Sequence, residues 1–126
     1  MSTIKSYTDI EQSKKLSEIL PLDSADMSWV SNGLGKPFAR TIPIKGNPEE
    51  LCACWSLTAL LEQLHYELCD DDGNSVYLQI DKEDDVYQLI YKDPYGDFES
   101  IETDRYEHFI DACYELILKL HELNLL

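Results

Sequence analysis

Positive charge is scarce in this sequence. Ten lysines and arginines stand against 25 aspartates and glutamates in 126 residues, a formal net charge of −15. Such a field repels nucleic-acid phosphates and anionic membranes and draws cations and basic partners, so direct DNA or RNA binding is not expected. Long apolar runs are missing too. None approaches the ~20 residues of a membrane-spanning helix, and residues 1–12 lack the apolar stretch of a signal peptide. A cytoplasmic setting is the expectation. There, Cys52, Cys54, Cys69 and Cys113 read as free thiols, because a chain of this length can bury a core without disulfide staples. Repeats, low-complexity tracts and linkers are also absent, which predicts a single domain over residues 1–126.

What is present is lopsided. Residues 1–60 carry six basic and seven acidic side chains, 6 − 7 = −1, whereas residues 61–126 carry four and eighteen, 4 − 18 = −14. The acidity belongs to the second half. It either keeps the surface soluble or meets a basic partner.

The periodicities predict an α+β fold, an antiparallel β-meander of four to six strands packed with about three helices, with an α/β/α sandwich as one arrangement. Thr8-Asp9-Ile10-Glu11 fits a capping box with Thr8 as N-cap, opening a helix over 9–19 that Pro21 stops. Met27–Val30 and Phe38–Ile44 look extended. Leu57, Leu60, Leu61 and Leu64 repeat at i, i+3, i+4, i+7, the stripe of a buried helix face, with Ser56 before them as a cap. Tyr66–Cys69, Val76–Ile80, Val86–Tyr91 and Phe98–Ile101 read as strands separated by turn-forming residues. Tyr106, Phe109, Ile110, Cys113, Leu116, Ile117, Leu120 and Leu123 form the strongest helical stripe, with Thr103 or Asp104 as its cap. Tyr114 and Leu118 make a minor second stripe that either packs inward or joins two copies in a homodimer.

Several patterns resemble functional motifs. Cys52, Cys54, His65 and Cys69 are the best zinc-like set, since zinc wants four N or S ligands, but the spacing is not that of the common zinc fingers. Cys54, placed just before a helix start, is the candidate nucleophile of a Cys-centred enzyme. Asp70-x-Asp72-x-Asn74 begins like a calcium loop and then departs from it at Ser75 and Asp81. Gly33-Leu34-Gly35-Lys36 lacks the spacing of a phosphate loop. None of these names a reaction, and no cofactor is assigned.

The span from Val86–Tyr91 through the Gly96 turn and Phe98–Thr103 to Ile110-Asp111-Ala112-Cys113-Tyr114-Glu115-Leu116-Ile117-Leu118-Lys119-Leu120 resembles the close of small proteins of phages and mobile elements of gut bacteria. The group is that of the phage ABA-sandwich domains, and Cys54-Trp55-Ser56-Leu57 is similar to another of its recurrent segments. The resemblance implies a sheet sandwiched by helices and a mobile-element origin, and it implies no activity. The functional expectation is an acidic interaction protein that meets a basic host or phage protein. Its expected contacts are Tyr77, Tyr87 and Tyr91 with Asp70, Asp71, Asp72, Asp93 and Asp97 around them, in a monomer or homodimer. The alternatives left open are the Cys-centred enzyme, a small zinc protein and a homo-oligomeric structural protein.

Overall fold

The computed structural model describes residues 5–31, 35–41, 50–69, 73–93 and 101–126. The α+β expectation holds, with helices and two antiparallel sheets, and the chain divides into two compact units, residues 6–61 and residues 1–5 with 62–126.

The unit of residues 6–61 begins with helix α1 (Ile10–Ser17). Its cap is Asp9, one residue later than the sequence suggested. The Asp9 carboxylate accepts from the Gln12 amide at 2.8 Å and the Gln12 side chain accepts from the Asp9 amide at 3.1 Å. Either register satisfies the capping-box pattern; Thr8 is unavailable because its side chain is buried elsewhere. Strand β1 (Met27–Val30) then lies between β2 (Phe38–Arg40) and β3 (Glu50–Cys54) in a three-stranded sheet ordered β2-β1-β3. Strand β3 is a departure from the sequence reading, which took Cys54 as the threshold of a helix. Cys54 instead ends a strand, paired with Met27, and a register irregularity falls between Trp29 and Val30. Helix α2 (Leu57–Glu62) follows, and the Ser56 hydroxyl caps it by accepting from the Ala59 amide.

In the other unit, β4 (Glu67–Cys69), β5 (Ser75–Glu83), β6 (Val86–Lys92) and β7 (Ile101–Glu102) pair in chain order, the predicted meander. The β5–β6 turn has only two central residues, Asp84 and Asp85, with φ of 50° and 65°. Two consecutive positive φ values are the signature of the type I′ turn, whose twist matches that of the strands it joins. Helix α3 (Phe109–Glu122) packs on β6 and β7 and buries Ile110, Ala112, Cys113, Leu116, Ile117 and Leu120. Phe109 meets the Tyr87 ring at 5.3 Å, which identifies the sheet face that α3 covers. His108 stands at the cap position of α3 without a side-chain bond. Thr103 is buried in the sheet instead: its hydroxyl accepts from the Leu89 amide and donates to the Asp104 carbonyl.

Candidate functional site

Strand alternation and the short turn decide which side chains share a face. With Glu83 opposite Val86, the register places Leu78 beside Tyr91, Ile80 beside Leu89 and Lys82 beside Tyr87 on the α3 side. Tyr77, Gln79, Asp81 and Glu83 point to the opposite face with Val86, Gln88, Ile90 and Lys92. Glu67 and Cys69 of β4 and Glu102 of β7 join them there through their pairings with Tyr77, Ser75 and Ile90.

The tyrosines expected to form one docking surface are therefore separated. Tyr91 is fully buried, its hydroxyl donates to the His65 carbonyl, and burial pushes its pKa up to about 12. It is a core residue with no surface for a partner. Tyr87 is half-buried against Phe109, with the Lys82 ammonium 5.4 Å from its ring. Tyr77 alone of the three lies on the other face, where its ring meets that of Tyr66 at 5.6 Å. The sequence reading overlooked Tyr66, which is 71% exposed; its place at the start of a strand was the available signal. Asp93 is buried rather than displayed. Asp70, Asp71, Asp72 and Asp97 lie outside the described residues.

Carboxylates are exposed at the opposite end of the sheet. Glu83, Asp84, Asp85 and Asp104 are all exposed there, and Glu102 is exposed nearer the middle of the sheet. Arg105 reaches Glu83 at 3.6 Å, a surface pair of small energetic weight. Nearby, the Glu115 carboxylate accepts from the Asp104 amide at 2.9 Å. Desolvation first, and then the bond to Glu115, push the Tyr106 hydroxyl up to about 12. On the face that α3 leaves open, Ser75 donates to the Glu67 carboxylate at 2.8 Å and the Cys69 thiol lies 3.3 Å from it. These hydrogen bonds hold Glu67 below the usual carboxylate range.

The cysteines divide by unit and by setting. Cys52 and Cys54 stand in β3, whereas His65 and Cys69 belong to the other unit. Among the described residues, no group of three or more His, Cys, Asp or Glu side chains could hold a metal ion. Cys54 is fully buried, and its Sγ lies 3.4 Å from the Thr8 carbonyl as a donor. Burial pushes its thiol up, against the opposing hydrogen bonds of Thr8 and Ser13. It also sits at a strand end rather than a helix N-terminus, so the electrostatic reason for an activated thiolate is missing. Cys113 is sealed in α3 and pushed up to about 12. Cys69 is exposed.

Tyr114 and Leu118 are half-buried, and Leu123, Leu125 and Leu126 beyond them are exposed. No described helix is long and apolar enough to cross a membrane. No protein-family model matches the sequence, and no curated protein and no solved structure matches it either.

Proposed function

We propose that this protein is a small acidic interaction protein, an accessory factor of the phage or mobile-element type, that captures a basic protein partner. The observation that carries this reading is the set of exposed carboxylates Glu83, Asp84, Asp85 and Asp104 toward one end of the four-stranded sheet. Among the described residues, Arg105 pairs with Glu83 and no ion pair joins Asp84, Asp85 or Asp104, so most of their field is uncompensated locally. Oriented negative potential of this kind raises encounter rates with a positively charged surface and makes capture sensitive to salt. The burial of Cys54 at a strand end removes the activated thiolate on which the alternative of a Cys-centred enzyme rested.

The test is capture by the immobilised protein at low and high salt, comparing the native sequence with the Asp84→Lys/Asp85→Lys/Asp104→Lys variant. These positions are exposed, so the variant should keep the native far-UV spectrum and a cooperative thermal transition. The expected outcome is a discrete basic partner kept at low salt, released at high salt and lost from the variant. Equal capture by the variant would remove this end of the sheet from the reading.

A further inference from the structure

The four-stranded sheet has one face under α3 and a second face of unusual make-up. Alternation puts Glu67, Asp81, Glu83 and Glu102 on this second face with Lys92, so its described residues carry a charge of 1 − 4 = −3. Part of it is not polar: beside the exposed Gln79, the Tyr77 ring and Ile90 are partly exposed, and Tyr66, 71% exposed, leans its ring onto that of Tyr77. A solvated antiparallel face ordinarily presents polar side chains throughout. Here a small aromatic and aliphatic patch lies in a polar surround that is mostly acidic, with Lys92 as its one cation among the described residues. Tyr77 lies between Glu67 and Lys92, and Ile90 between Gln79 and Glu102. The same anatomy, an apolar patch inside a polar rim, characterises docking patches in which a few buried anchors supply most of the binding energy.

We infer that this face binds an amphipathic basic segment of another protein, apolar side on Tyr66, Tyr77 and Ile90 and lysines or arginines toward Glu67, Asp81 and Glu102. The inference rests on the proposed interaction role and assigns it a surface and a partner chemistry. Charge complementarity selects the occupant. A second copy of this chain would bring four more carboxylates to the same face, and a nucleic acid would bring phosphates. A helix is the form that fits, because a sheet covered by a helix on one face completes a layered arrangement by accepting a helix on the other. The Tyr66–Tyr77 pair offers ring faces to a cation whose charge the ionised Glu67 neutralises.

The experiment is a titration of the ¹⁵N-labelled full chain with a synthetic amphipathic Leu/Lys peptide, set beside a control peptide of equal charge with serine in place of leucine. The expected result is tighter binding of the Leu/Lys peptide, with shifts centred on Tyr66, Glu67, Tyr77, Gln79, Ile90 and Glu102. Tyr66→Ala and Glu102→Lys, both at exposed positions, should each weaken it about tenfold while the spectrum stays that of the folded protein. Equal affinity for the serine peptide, or shifts centred on α3 or on Asp84 and Asp85, would overturn this face while leaving a purely electrostatic interaction role intact. Binding of neither peptide would remove both. A concentration-dependent dimer that shows the same footprint without peptide would replace the basic partner with a second copy.

Discussion

Thr8 is fully buried, and nearly every polar atom it has is in use. Its amide donates to the Trp55 carbonyl at 2.9 Å, and its hydroxyl accepts from the Trp55 amide at 3.2 Å and meets the Ser13 hydroxyl at 2.8 Å. Its carbonyl accepts from Trp29 Nε1 at 3.0 Å and from the Cys54 thiol. Thr8→Val keeps the shape and removes the hydroxyl, leaving the buried Trp55 amide without that partner. The expected cost is about 1–3 kcal/mol, read as a lower urea midpoint by far-UV circular dichroism. An unchanged midpoint would mean that a water replaces the hydroxyl. Nothing in the local pattern hints at this role, since a threonine followed three residues later by glutamate looks like a helix cap. Only the pairing of residues 7 and 56 draws Thr8 inward and leaves the cap to Asp9.

Tyr91 supplies a second prediction at the same scale. Its pKa lies near 12 in the folded protein against an ordinary 10, so the folded state holds the proton more tightly than the unfolded one. A raised pKa gives stability that is complete below pH 10 and is lost as pH climbs toward 12. The urea midpoint should therefore fall over that window, and fall less in Tyr91→Phe. Cys113, pushed up to about 12 from 9, adds a loss of the same sign that begins one unit lower. Tyr91→Phe/Cys113→Ala should accordingly show the flattest alkaline limb. An identical slope in all three proteins would contradict the burial argument.

At the scale of elements, turn length had the largest consequences. Four turn-forming residues, Lys82 to Asp85, separate the strands in the sequence, and a turn of that length leaves the register open. The structure carries the first strand on to Glu83 and leaves Asp84 and Asp85 alone at the tip. Because side chains alternate with period two, that choice sends Tyr77 to one face and Tyr87 and Tyr91 to the other. The strands and α3 were legible because their apolar spacing is local. The faces were not, because they depend on how one strand is set against the next. Strand β3 was missed for a related reason: five residues, Glu50 to Cys54, show too little alternation to be separated from the helix that follows. Type I′ turns favour glycine at the second central position, and aspartate tolerates positive φ at some cost. Asp85→Gly should therefore stabilise the protein by about 0.5–1 kcal/mol, seen as a higher thermal midpoint. A decrease would show that the Asp85 side chain contributes more than its backbone strain costs.

Over the whole molecule the charge imbalance was fully legible, while its use was not. A net charge of −15 opposes compaction through self-repulsion. The Debye length falls from about 30 Å at 0.01 M salt to about 10 Å at 0.1 M, so added salt screens most of that repulsion. The thermal midpoint should rise with sodium chloride across this range, and rise less in the Asp84→Lys/Asp85→Lys/Asp104→Lys variant. A midpoint that falls with salt would mean that attractive pairs such as Lys5–Asp111, at 2.8 Å, outweigh the repulsion.

Both tryptophans, Trp29 and Trp55, belong to the unit of residues 6–61, one with its indole NH on the Thr8 carbonyl and the other on the Ser24 hydroxyl. The unit that holds the four-stranded sheet contains tyrosines and no tryptophan. Indole emission is thus a private optical channel: it reports the loosening of residues 6–61, and the rest of the chain must be followed by phenol absorbance. Superimposable curves in the two channels would describe one cooperative transition, and separated curves would make each half measurable while the other stays folded.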